Sequence, residues 1–202
     1  MSFAKHDPDV WRPATSSLIS VRRLDPTSML ICTRNQAIEL KDDTHGPSTA
    51  LKKCIFCDVR KELGFGVVYE NEELIVFKDR NPAAKEHLLV ITRRHVESIK
   101  SLNTSDIPLL LRMRDAGSEA LRTLGIPNDD QRFGFHIPPF NTVNHIHLHA
   151  QGLPYQNKLR EKKYRMSTSS RASKTKGFSW YAELGQCVRI LESGNRVGVF
   201  PC

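Results

Sequence analysis

What the chain lacks narrows the field first. No run in its 202 residues reaches the roughly 18 consecutive apolar residues that a bilayer-spanning helix needs. A membrane role is therefore not expected. The opening "MSFAKHDPDVW" holds two aspartates and no apolar core, so it does not read as a signal peptide. Cysteines are few and odd in number, five in all, and a disulfide framework is not expected. Reduced thiols in the cytosol or nucleus fit this pattern better. There are no internal repeats. Acidic residues fall short of basic ones, 22 against 30, which leaves a formal charge of +8.

That excess is localised. Between Asn157 and Lys176 stand eight basic residues (Lys158, Arg160, Lys162, Lys163, Arg165, Arg171, Lys174 and Lys176) against Glu161 alone, 8 − 1 = +7. Two readings remain open here. The segment could contact phosphates, nucleic acid among them. It could also be a solvated, flexible loop, since "MSTSSRASKTK" is polar enough for disorder.

What is present is the composition of a soluble globular protein, 39% hydrophobic and 26% charged. Residues 1–50 show no sustained period. "PATSSLISVRRL" could form one short helix, and "KDDTHGPST" reads as a linker. From "KKCIFCDV" onward the chain is organised. Short β-type runs at 67–69, 74–79 and 87–92 are separated by turn formers. "TSDIPLLLRMRDAGSEALRTLG" follows the helical period, with Thr104 or Ser105 as cap and Gly125 as terminator. "RFGFHI" and "VNHIHLHA" read as two further strands, and a helix is expected from about Trp180 to Leu191. Short connections around one main helix predict an α+β fold with a mainly antiparallel sheet and a C-terminal helix. The expected divisions are an extension over 1–50, a domain over 51–155, the basic flexible segment over 156–177, and a helix and tail over 178–202.

The densest chemistry lies in "FHIPPFNTVNHIHLHAQ", where His145, His147 and His149 alternate with Ile146, Leu148 and Ala150. In a strand the three histidines share one face and the apolar residues the other. The outer two Cα atoms would lie roughly 13 Å apart at the usual strand rise. Metal bonds to imidazole are only about 2.0–2.1 Å long, so three such residues converge on one ion only if the strand bends sharply. Divided labour is the better expectation. It also weighs, with the lack of a carboxylate ligand motif, against a metallo-oxidoreductase. Alternation alone is also what a solvated polar face shows, but lysine, threonine or glutamate would serve such a face equally well, so three histidines in five residues point away from it. Cys54 and Cys57 form a C-x-x-C pair, a spacing shared by zinc sites and redox motifs.

"HIHLHAQ", together with "CIFCDV" and "YENEELIVFKDRNPAAKEHLLVITRRHV" in that order, resembles the histidine triad (HIT) superfamily over roughly residues 52–151. "FHIPPF" places the resemblance in its Hint-like branch. The resemblance implies a HIT-like fold, commonly paired as a homodimer, and a nucleotide hydrolase or phosphoramidase. Such an enzyme releases AMP from adenosine monophosphoramidate-type substrates through a nucleotidyl-histidine intermediate. On that pattern His147 is the nucleophile, His149 contacts phosphate and leaving group, Thr142 stands near the leaving nitrogen, and His87 supports the triad. Phe77, Lys78, Asp79 and Asn141 would join Thr142, His147 and His149 around a purine nucleotide or nucleotidylated small molecule. Lys78 departs from the family's usual histidine. Cys54, Cys57, His95 and His145 match a structural zinc site found in some members. Two other readings stand beside this one. Deadenylation of nucleic-acid ends, as in the aprataxin branch, is suggested by the basic run. That branch's C-terminal zinc finger has no counterpart, since after His149 there is no histidine. A non-catalytic nucleotide-binding adaptor is the other.

Overall fold

The structure, a computed structural model, describes residues 54–171 and 173–202. The short helix and linker expected within 1–50 lie outside the described residues. Six antiparallel strands form one sheet in the order β1-β2-β3-β5-β4-β6. They are β1 (Val67–Glu70), β2 (Leu74–Lys78), β3 (Ala84–Thr92), β4 (Gln131–His136), β5 (His147–Tyr155) and β6 (Tyr181–Glu183). Three α-helices accompany them: α1 (Ile107–Thr123), α2 (Lys158–Lys163) and α3 (Leu184–Glu192).

The period-two pattern decides which side of the sheet each residue serves. Leu74, Val76, Leu88, Val90, Leu148 and Ala150 face α1 and α3 in the main core. Ile75, Phe77, Leu89 and Ile91 face the other way and pack with Phe56 and Val59 from the turn that precedes β1. β2 and β3 are thus covered on both faces, which is why they read as continuous apolar runs. His87, His145, His147 and His149 lie on the second face. That face is not a solvated one: all four are buried.

Three local expectations are corrected. The cap that starts α1 is neither Thr104 nor Ser105. Those residues sit in a short 3-10 turn whose own cap is Asn103. Its side-chain oxygen accepts from the Ser105 N–H (2.9 Å), while Asp106 accepts from the Asn103 N–H (2.9 Å). The turn feeds α1, and Gly125 ends it at a φ of 78°, where a side chain would be strained. The triad strand begins at His147, not Val143. Before it, the Ile146 N–H goes to the Val96 carbonyl (2.7 Å) instead of joining the ladder. Residues 181–183 are not helical. They complete the sheet beside β4, and Glu183 then caps α3 through a capping box with Gln186. The segment 156–177, for which phosphate contact and a flexible loop both stand open in the sequence, carries α2 and a bridge between Thr168 and Lys176, whose side chain is fully buried. Its Nζ donates to the carbonyls of Gly177 (2.8 Å) and Val199 (3.1 Å), so polar composition here hides a lysine anchored by backbone oxygens.

Gly134 on β4 is required by close approach. A Cβ there would lie 2.5 Å from the Ala182 carbonyl oxygen and the Tyr181 ring. This lets β6 and Tyr181 close down beside the histidine face.

Candidate active site and metal cluster

The three triad histidines keep separate company. His145 turns toward the turn before β1. Its Nε2–H donates to the Thr92 carbonyl (2.8 Å), which leaves Nδ1 bare. That Nδ1 lies 3.5 Å from the sulfurs of both Cys54 and Cys57, and His95 Nδ1 lies 3.3 Å from Cys57 Sγ. The donor atoms of these four residues all fall within 4.8 Å of one another. All four expected metal ligands are therefore gathered in one place, and the cluster could hold a metal ion. A carbonyl that fixes the tautomer of a ligating imidazole is the usual arrangement behind such sites.

His147 is oriented by its own chain. Its Nδ1–H donates to the His145 carbonyl (2.7 Å), so Nε2 carries the lone pair. Burial pulls its pKa down from the usual imidazole range, against the opposing pull of the carbonyl bond and of Asp79. The ring stays neutral, as a nucleophile must.

His149 belongs to a relay of rings whose tautomers are set from both ends. The Ala83 N–H donates to His87 Nδ1 (3.1 Å), so His87 carries its proton on Nε2. That proton points to His149 Nδ1 (2.9 Å). His149 then donates from Nε2 to His136 Nδ1 (3.0 Å), and His136 donates from Nε2 to the Lys163 carbonyl (3.2 Å). A backbone donor at one end and a backbone acceptor at the other leave one pattern for three neutral rings. Burial, the largest cause in each ring, lowers His87 and His136 to about 4 and His149 well below its ordinary value. Asp79 partly opposes the shift at His87, with its carboxylate 3.5 Å from Nε2. Asp79, His87 and His149 also form a three-donor group, but the two rings are bonded to each other.

Two cavities meet at the triad. One, about 350 Å³, has an apolar wall that includes Phe56, Phe65, Phe77, Leu89 and Val143, with Lys78 and Asp79 at its edge. The other, about 640 Å³, is lined by Arg160, Lys162 and Lys163 of α2, by Tyr164 and Trp180, and by Asn81 and His136. Asp79, Thr142, His147 and His149 line both. The residues expected around a nucleotide are thus gathered at one wall, with one exception. Asn141 lines neither cavity. Its amide donates to the Val143 carbonyl (3.0 Å) and to Asn144 Oδ1 (3.0 Å) within its own turn.

Sequence reasoning missed His136, Tyr164 and the placement of α2. His136 was legible: it follows Phe135 in "RFGFH", and the alternation that sends Phe135 to the core sends His136 to the histidine face. Tyr164 had no such signal. It stands edge-on to His87, His136 and His149, with ring centroids 5.1–5.5 Å away, and no periodicity announces a residue at the end of a six-residue helix.

The matched family model is described as "Scavenger mRNA decapping enzyme C-term binding", and it spans residues 53–165, more than half of the chain. The chain belongs to this histidine triad family. An Arabidopsis thaliana relative, named bifunctional adenosine 5'-phosphosulfate phosphorylase/adenylylsulfatase HINT4, is 38% identical over 55% of this chain and 78% of its own. A Danio rerio relative, named adenosine 5'-monophosphoramidase HINT3, is 32% identical over 81% of this chain and 97% of its own. Among solved structures, a HIT family hydrolase from Clostridium thermocellum is 32% identical, with a TM-score of 0.48 over 53% of this chain and 96% of that one. In this HIT protein the family-matched segment includes α2, so the basic helix beside the triad is part of the domain.

Proposed function

We propose that this HIT protein is a nucleotide hydrolase of the phosphoramidase type, releasing AMP from adenosine 5'-monophosphate joined to an amine. One observation carries the reading: the neutral His147 ring, pinned through Nδ1, offers its bare Nε2 at the wall shared by the two cavities. The names of the zebrafish and Arabidopsis relatives support the same chemistry.

His147 Nε2 attacks the α-phosphorus, the P–N bond breaks, and the amine leaves after taking a proton from solvent. Water then attacks the phosphorus of the adenylyl-histidine, the P–N bond to His147 breaks, and the water's proton returns to solvent, giving AMP and the neutral ring. The apolar cavity with Phe77 receives the nucleoside. Asp79 stands at its edge, where a carboxylate accepts from ribose hydroxyls. Thr142 lines both cavities, and this reading assigns its hydroxyl to the leaving nitrogen. His149 has both ring nitrogens engaged, so its N–H reaches a phosphoryl oxygen only by leaving His136. Its part in the resting site is to hold the wall beside His147, whose ring lies 5.2 Å away between centroids.

Zinc is the metal this reading assigns to Cys54, Cys57, His95 and His145. A tetrahedral ion with Zn–S bonds of about 2.3 Å and Zn–N bonds of about 2.0–2.1 Å has S···N edges of about 3.6 Å. The three S···N distances of the cluster, 3.3–3.5 Å, fit that edge. Four protein donors close the site, so its role is structural, tying the turn before β1 to the triad. Metal-bound thiolates suit a reducing compartment, cytosol or nucleus. Pairing into a homodimer is the oligomeric state this reading carries, and light scattering of the purified protein tests it.

The direct test is turnover of an adenosine phosphoramidate by wild type and by His147→Ala. Loss of AMP release in the variant is expected. Equal turnover by the two proteins removes the reading.

A further inference from the structure

The larger cavity is more than the phosphate needs, and its charge is one-sided. Three cations of α2, Arg160, Lys162 and Lys163, line it against a single carboxylate, Asp79. The helix that carries them is held in place. Arg160 Nη1 donates to Asn81 Oδ1 (2.6 Å) across the loop after β2. The Lys163 carbonyl accepts from both His136 Nε2 (3.2 Å) and Trp180 Nε1 (2.9 Å). Tyr164 then packs against three rings of the relay. The helix that carries the cations is therefore in place before any ligand arrives, and no ordering of its backbone opposes binding.

Direction follows from displacement at phosphorus, where attacking and leaving groups lie roughly in line. With the nucleoside in the apolar cavity and phosphorus at Nε2 of His147, the leaving group extends into the remaining space joined to that wall. That space is the cationic one.

We propose that the α2 cavity is a leaving-group subsite selecting substrates whose leaving group carries its own negative charge. This rests on the phosphoramidase reading and sharpens it. The reaction is unchanged, but the preferred leaving amine bears a distal phosphate, phosphonate or similar anion.

A matched pair of probes isolates that charge. Both are adenosine 5'-phosphoramidates with the same P–N bond, one made from 2-aminoethylphosphonate and the other from a neutral amino alcohol of equal length. Wild type is expected to favour the phosphonate probe in kcat/KM by about tenfold, the scale of two or three partly exposed ion pairs. The preference should shrink as salt rises. In Lys162→Gln/Lys163→Gln the ratio should fall toward one. The two lysine side chains line the cavity, whereas α2 is anchored by the Lys163 carbonyl and by the Arg160–Asn81 bond, so the double variant keeps the helix attached. A 5'-adenylated dinucleotide as a third probe tells a nucleic-acid end from a small anionic amine as the source of the charge.

The proposal is overturned if wild type shows a ratio near one, or if the ratio survives the double lysine variant. Binding of the same two amidates to His147→Ala, measured by calorimetry, separates the two levels of the argument. A tighter phosphonate complex there supports the subsite even where turnover fails. Equal affinities overturn it even where the phosphoramidase reading stands.

Discussion

Acid should unfold this protein through its ring relay, and the size of the effect follows from the burial of the rings. His87 and His136 have pKa values near 4 in the folded chain, against about 6.5 unfolded. The folded values are depressed, so below pH 6.5 the unfolded chain binds more protons. Stability is intact above that pH and is lost progressively as the pH falls toward 4. Between pH 7 and pH 5 each ring taken alone accounts for a loss on the order of 2 kcal/mol, and because both belong to one hydrogen-bonded chain their losses do not simply add. Even one such loss is a sizeable part of the roughly 5–15 kcal/mol that holds a domain together. His149, lowered in the same direction, adds to the slope. Urea unfolding followed by circular dichroism at half-unit pH steps reads this loss. A metal held by Cys54, Cys57, His95 and His145 would also be lost in acid, so the decisive comparison is with His136→Gln, which has the same four residues. A glutamine can still bridge His149 and the Lys163 carbonyl but cannot take up the proton. The pH slope of this variant should be smaller by roughly 1 kcal/mol per unit near pH 5. Parallel pH profiles for the two proteins would refute the account of the relay.

Other consequences follow from single contacts. Cys54→Ser removes one of two thiolates, so the metal content of purified protein should fall from about one ion per chain to well below it. Unchanged zinc by plasma emission spectrometry would rule the cluster out. Gly134→Ala sets a methyl 2.5 Å from the Ala182 carbonyl and should cost about 1–3 kcal/mol in chemical denaturation. An unaltered midpoint would mean that β6 does not close on β4 as described. Leu148→Ala empties part of a fully buried site beneath the triad and should cost about 2–5 kcal/mol. A loss below 1 kcal/mol would contradict the packing of β5 on α1.

The sequence made the sheet and the triad legible because each is a short-period pattern. Alternation of residue type in "NHIHLHA" assigns its faces directly, and in the continuous apolar run "LIVFK" strand geometry sends Leu74 and Val76 to one core and Ile75 and Phe77 to the other. The Cys54, Cys57, His95 and His145 cluster was legible through spacing and resemblance together, since strand geometry alone cannot bring residues some 90 positions apart within 4.8 Å. What escaped reading depends on long-range closure. β6 exists because β4 would otherwise present an open edge, and "WYAELGQ" taken alone favours a helix. The basic segment looked solvated because its composition shows charge and not the fixed points, Asn81 to Arg160 and the Lys163 carbonyl to His136 and Trp180, that draw it over the triad.

In the proposed reaction His147 attacks phosphorus. Wild-type protein is mixed with an adenosine phosphoramidate, quenched in base within the first turnover, digested and sequenced by mass spectrometry. An adenylyl group on the His147 ring, lost in His147→Ala along with AMP release, is the predicted result. Full AMP release by His147→Ala, or an adduct on another side chain, would contradict it.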